Sequence, residues 1–166
     1  GNGEGVKLAL LDPRACAEDV THMLSQTTAA CAATVDIVVE PGTNPVIEGD
    51  RYYWEQIFFN LIENALKENA GRELKVTVAI AQTPDGLRVQ IKDNGVGIPG
   101  ADQPFVFKRF YRVSSHRSKQ VKGTGLGLSI VKRAVEAHRG AIRLRSQPGI
   151  ETVFIIDLPK TAESGP

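Results

Sequence analysis

Gly123, Gly125 and Gly127 stand at alternate positions in the run Lys122-Gly123-Thr124-Gly125-Leu126-Gly127-Leu128-Ser129-Ile130-Val131. Glycines at that spacing free the backbone to take positive φ and to approach a ligand closely. Leu126, Ile130, Val131, Ala134 and Val135 then fall on one helical face, so the glycines lie where a helix begins. A helix start offers unpaired N–H groups and a positive dipole end, which together make a seat for phosphate. Between Gln103 and Val135 there is no acidic residue, while Lys108, Arg109, Arg112, Arg117, Lys119, Lys122, Lys132 and Arg133 are cationic. A polyanion is the natural partner of such a run. Taken alone, spaced glycines are equally a flexible turn, and a basic run equally a solvated face.

Three further groups carry possible chemistry. Asn60, Asn64 and Lys67 are spaced four and three apart, which stacks them on one line of a helix beside its apolar face. Asp93-Asn94-Gly95-Val96-Gly97-Ile98-Pro99 closes a strand pattern. It is either an ordinary turn or a buried carboxylate beside a backbone that must come close to something flat. Phe105 to Arg112 is basic and flanked by aromatic residues.

The elements that must position these groups follow from periodicity. Val6 to Leu11 reads as a strand, and Asp12-Pro13 opens a helix to about Ala33 with Val20, Leu24, Thr27 and Cys31 on one face. Val35, Ile37 and Val39 mark a strand, and Val46-Ile47 a brief one. Asp50 caps a helix whose apolar residues are Trp54, Ile57, Phe58, Leu61, Ile62 and Ala65, the strongest helical pattern in the chain. Leu74 to Ile80 and Leu87 to Ile91 alternate as two strands joined by the link Gln82 to Gly86. Val113 to Val121 lacks periodicity and reads as a mobile loop. The helix from Leu126 runs to about His138 with Gly140 as its stop, and strands around Ile142 and Phe154 end the chain.

A chain of 166 residues is most simply one domain with a real core. Its net charge of +1 gives no sign of general nucleic-acid binding; the basic character is local. No apolar run approaches membrane-spanning length and no signal peptide is visible. Cys16 and Cys31 lack metal-ligand spacing and read as small, reduced core residues. The glycine-rich start and Ser164-Gly165-Pro166 read as loose termini of a piece of a longer protein.

In order and spacing, these pieces resemble the catalytic, ATP-binding domain of bacterial sensor histidine kinases, within the gyrase, chaperone, mismatch-repair and histidine-kinase ATPase superfamily. Asn60 to Lys67 resembles the N box, Asp93 to Ile98 the first glycine box, Phe107 to Arg112 the phenylalanine box, and Gly123 to Leu128 the second glycine box. The match covers roughly Lys7 to Lys160. Neither glycine pattern has the P-loop ending or the dinucleotide fingerprint. The resemblance implies an α+β fold of Bergerat type: a two-layer sandwich, its mixed, mostly antiparallel sheet carrying helices on one face and an ATP lid at residues 113–122.

The resemblance also implies roles. Asp93 would accept from the adenine amino group and so select adenine over guanine. Asn64 would bind Mg²⁺ through its amide oxygen, with Asn60 orienting that shell; Mg²⁺ takes octahedral oxygen and keeps several waters. Lys67 would neutralise phosphate charge, and Arg109 and Arg112 would clamp phosphate oxygens. The backbone of Gly123, Thr124, Gly125, Leu126, Gly127 and Leu128 would cradle the polyphosphate. Gly95, Gly97, Ile98, Phe110 and Thr152 would complete the nucleotide site. The implied activity is transfer of the γ-phosphoryl group to a His on a separate dimerisation and phosphoacceptor domain, for relay to a response regulator. It also implies a cytoplasmic location in a protein anchored in the bacterial inner membrane.

The acceptor is not in this chain: His22, His116 and His138 all lack the expected surroundings. Hydrolytic members of the superfamily carry a Glu one turn before the metal Asn; here that position is Asn60. Two departures stand out: Glu68 follows Lys67 where an aromatic residue is usual, and Glu151 precedes Thr152 where Gly is common. A serine kinase of anti-sigma-factor type and a non-enzymatic nucleotide-sensing module remain the alternatives.

Overall fold

The computed structural model describes residues 5–68, 73–111 and 127–160. Strand β1 (Ala9–Leu11) pairs antiparallel with β3 (Ile47–Gly49). A second sheet has the order β2 (Thr34–Val39), β4 (Lys75–Thr83), β5 (Gly86–Asp93), β7 (Glu151–Pro159), β6 (Ala141–Gln147). Only its β2–β4 pair is parallel, so the sheet is mixed and mostly antiparallel. Helices α1 (Pro13–Met23), α2 (Ser25–Ala30), α3 (Arg51–Glu68) and α4 (Gly127–Ala137) complete the fold.

Strand alternation assigns the faces. Val76, Val78, Ile80, Val89, Ile91, Phe154 and Ile156 point to the helix layer and are buried with Trp54, Ile57, Phe58, Leu61 and Ile62 of α3. The opposite face has its own small apolar pair, Val153 and Ile155, both buried. Lys92 and Arg145 flank Val153 in register, and Gln90 and Arg143 flank Ile155. Long side chains of this kind lay their stems over apolar neighbours and keep their charges in water.

The expected helix from Asp12 to Ala33 is two helices. Asp12 does cap the first, accepting from Arg14 N at 2.8 Å. The break falls at Leu24, ahead of Ser25, Thr27 and Thr28, residues that lose rotamer freedom or compete for backbone bonds in a helix. Helix α2 buries no residue, so packing does not override that preference. Strand β1 starts at Ala9 rather than Val6. The residue opposite Leu8 would be Asp50, whose N–H goes to His138 Nε2 and whose carboxylate accepts from Lys7 N and Tyr52 N.

The link between β4 and β5 is shorter than expected. Thr83 pairs with Gly86, which leaves only Pro84 and Asp85 as the turn. Gly86 belongs to the ladder because a Cβ there would stand 1.9 Å from Leu158 O. Helix α4 ends near Gly140 as expected, but Arg139, not the glycine, takes the left-handed conformation at φ 60°. Gly140 N bonds Val135 O and Arg139 N bonds Glu136 O, the paired bonds of a Schellman end. Gly140 is required for closeness, since a Cβ there would lie 2.8 Å from Asp157 O. Leu126 lies outside the described residues, and Ser129 is buried with Val131, Ala134 and Val135 while Ile130 is only half-buried.

Candidate functional site

Asp93 ends β5 and is 5% exposed, on the helix-covered face of the sheet. Its Oδ1 accepts from Gly95 N at 2.9 Å, which turns the chain immediately after the strand. Asn94 is held differently: its Oδ1 accepts from Lys75 N at 2.8 Å, tying the turn to the start of β4. In register, Asp93 stands between Val76 and Thr152. Thr152 is likewise buried, at 6% exposure. The carboxylate and the hydroxyl are therefore neighbours on adjacent strands, facing the same layer.

The loop after Asp93 lies against the β6–β7 turn. Gly149 N donates to Val96 O at 2.6 Å, and Ile98 N donates to Ser146 Oγ at 2.8 Å. Gly97 is the residue that permits this approach: its φ is +73°, and a Cβ would stand 2.5 Å from Gln147 O.

Helix α3 carries the second half. Asn60 and Asn64 are half-buried, whereas Lys67 is exposed and pairs with Glu63 at 3.2 Å. Asn60 Nδ2 donates to Gln56 O at 2.8 Å, so its amide nitrogen is engaged on its own helix. Its Oδ1 faces the start of α4, 3.1 Å from where a Cβ on Gly127 would be. The last glycine of the second glycine run thus lets two helices close around an amide oxygen.

The aromatic segment packs against β7. Phe107 meets Phe154 of β7 edge-on, with ring centroids 6.0 Å apart. Tyr111 OH donates to the buried carboxylate of Asp102. Phe110 has a left-handed backbone at φ 65° and is 62% exposed, and the Arg109 guanidinium lies 5.1 Å over its ring.

The structure therefore brings Asn60 to Gly127, and Asp93 to Gly95 and Thr152, while Gly97 and Ile98 lie against the β6–β7 turn. Leu128 is half-buried behind Gly127. Arg112, Gly123, Thr124, Gly125, Leu126 and the expected lid at 113–122 lie outside the described residues. Among the described residues no cluster of three His, Cys, Asp or Glu could hold a metal ion. Mg²⁺ takes oxygen ligands, and the half-buried amide of Asn64, one turn from Asn60, offers an oxygen of that type. Among the described residues, no helix is long and apolar enough to cross a membrane.

Sequence reasoning missed Ser146, Gln103 and the role of His138. Ser146 carried a usable signal: it is the polar member of an inward series after Ile142 and Leu144. Gln103 carried none. His138, expected only to lie at the end of its helix, accepts Asp50 N at 2.9 Å through Nε2 and contacts Ala134 O through Nδ1 at 2.8 Å. It ties the end of α4 to the start of α3.

Residues 49–162 match the family model described as histidine kinase-, DNA gyrase B-, and HSP90-like ATPase. The sensor protein RprX of Bacteroides fragilis is 42% identical over 118 residues, which make up 70% of this chain and 23% of that protein. The sensor protein kinase WalK of Staphylococcus aureus is 43% identical over 106 residues, 63% of this chain and 25% of that protein. The chain thus spans about a quarter of the length of these curated relatives. The solved mycobacterial sensor histidine kinase MprB is similar at a TM-score of 0.75 and 29% identity, covering 92% of this chain and 99% of that one.

Proposed function

The chain belongs to the histidine kinase-, DNA gyrase B- and HSP90-like ATPase family, and from that premise we propose that it binds ATP with Mg²⁺ and donates the γ-phosphoryl group to a His on a separate dimerisation and phosphoacceptor domain. A response regulator then receives the group, as in two-component signalling. The observation that carries this reading is the buried Asp93 carboxylate, held by Gly95 N and set opposite Thr152. An ionised carboxylate only accepts hydrogen bonds, so it takes the adenine amino group and repels the guanine carbonyl.

In this reading Asn64 supplies the protein oxygen to Mg²⁺, and Asn60 orients the shell. The ion, when bound, neutralises the charge that develops on the transferring phosphoryl group. Lys67, Arg109 and Arg112 supply further positive charge, and the backbone from Gly123 to Leu128 seats the phosphates. Gly95, Gly97, Ile98 and Phe110 line the nucleotide, and residues 113–122 act as lid. The whole of 1–166 is then one domain with its core in 7–160. An imidazole nitrogen of the acceptor forms the new P–N bond while the bond to the bridging oxygen breaks, and ADP leaves with that electron pair.

The amide of Asn60, already bonded to Gln56 O, offers no general base for water. That favours transfer over hydrolysis, since phosphoryl transfer asks for positioning and charge more than for acid–base chemistry. The domain works on the cytoplasmic side of a membrane-anchored protein.

The test is incubation with γ-labelled ATP, alone and with a helical phosphoacceptor domain supplied in trans. The expected result is acid-labile label on the acceptor, none on this chain, and negligible free phosphate. Acid-stable label would point to serine phosphorylation instead. Rapid phosphate release without an acceptor would contradict the transfer reading.

A further inference from the structure

Ile98 has both of its backbone polar groups taken by side chains. Its N–H donates to Ser146 Oγ at 2.8 Å, and its C=O accepts from Gln103 Nε2 at 2.8 Å. The same Gln103 Nε2 reaches Ser146 O at 3.3 Å. Ser146 Oγ donates to Glu151 O at 2.8 Å and lies 3.5 Å from Thr152 Oγ1. A serine has one hydroxyl proton, and Glu151 O takes it here. Toward Ile98 N and Thr152, Ser146 is therefore only an acceptor, so any bond in that contact is donated by Thr152. In register Ser146 is one strand from Thr152 and two from Asp93.

We propose that Ser146, with Gln103 as its second support, is the positioning residue that fixes the loop from Gly95 to Ile98 at the height where Asp93 and Thr152 meet a nucleotide base. The proposal rests on the nucleotide reading above and assigns neither residue a contact with the nucleotide. Ile98 lies past the end of β5 and has no ladder partner, so beyond the packing of its side chain in the core its backbone is placed by these side-chain bonds. Ile98 is buried, and a buried N–H that loses its acceptor costs more than a bond at the surface. Loss of the Ser146 hydroxyl releases the loop and, at the same time, the orientation of Thr152.

The variants are Ser146→Ala, Ser146→Thr and Gln103→Glu. The last keeps shape but sets an oxygen against two carbonyl oxygens. The readouts are amide hydrogen exchange at Ile98 and titration with ADP and with GDP. In Ser146→Ala, exchange at Ile98 is expected to quicken about tenfold and ADP to bind roughly three- to tenfold more weakly. The preference for ADP over GDP narrows, and Ser146→Thr restores all three. Gln103→Glu moves them in the same direction, and it stands as the test if Ser146→Ala does not fold. Unchanged exchange at Ile98 in the folded variants, with ADP affinity within about twofold of the parent, overturns the proposal. If the parent chain binds no ADP, the nucleotide reading fails and takes the affinity claim with it. Exchange at Ile98 then still decides whether Ser146 holds the loop.

Discussion

The amide oxygen of Asn60 lies 3.1 Å from the point that a Cβ on Gly127 would occupy, so at this point α3 and α4 close on each other with only the Asn60 amide between them. Gly127 opens α4, where alanine gains less than the about 1 kcal/mol it gains in a helix interior, and that smaller gain offsets part of the crowding in the stability of Gly127→Ala. The displaced Asn60 has no such offset. Gly127→Ala is expected to melt close to the parent but to bind Mg·ADP roughly three- to tenfold more weakly. Thermal melts paired with calorimetric titration separate the two effects.

Gly97→Ala is expected to behave differently. A left-handed backbone costs a non-glycine residue about 1–2 kcal/mol, and the new Cβ would also press on backbone rather than on a yielding side chain. Gln147 O stands 2.5 Å from that Cβ position. The loss should be at least about 2 kcal/mol in urea unfolding, together with loss of nucleotide binding.

Two helix ends are built on strained residues that glycine would relieve. Ala32 has φ 52° and Arg139 φ 60°, each at the left-handed position of a Schellman end. Ala32→Gly and Arg139→Gly are each expected to stabilise the fold by about 0.5–1 kcal/mol. Denaturant midpoints of the two variants and of their double check the values and their additivity, since the sites lie on different helices.

Burial pushes the Cys16 thiol up from 9.0 to about 11, with the Arg51 guanidinium pulling the other way. Between those values the unfolded chain releases a proton that the folded chain keeps. Stability from this group is therefore full below pH 9 and declines as pH rises toward 11. At pH 10 the loss amounts to about 1 kcal/mol relative to pH 8, and Cys16→Ala should flatten that slope. Urea unfolding of both proteins at the two pH values measures it.

Much of this was legible in the sequence because burial and periodicity agree. Trp54, Ile57, Phe58, Leu61, Ile62 and Ala65 were expected on one face of α3, and all are buried. The sheet strands were likewise readable, since Val76, Val78 and Ile80 alternate inward. The break at Leu24 was not, because the spacing of Val20, Leu24, Thr27 and Cys31 continues across it while the backbone does not. The left-handed turn at Arg139 was hidden by the neighbouring Gly140, the residue that usually carries such a turn. Within the candidate site, the burial of Asp93 and the close backbone approach at Gly97 were legible in their types. Ser146 and Gln103 were missed because their work lies in bonds to a backbone 48 and 5 positions away.

The central claim is that Asp93 reads adenine in a site shared with Asn60 and Asn64. Calorimetric titration with a non-hydrolysable ATP analogue and its GTP counterpart, with and without Mg²⁺, on the parent chain and on Asp93→Asn, tests it most directly. The account predicts binding that prefers adenine, gains from Mg²⁺, and weakens about tenfold or more in the variant with its fold intact. Equal binding of both nucleotides, or an Asp93→Asn chain that binds like the parent, would contradict it.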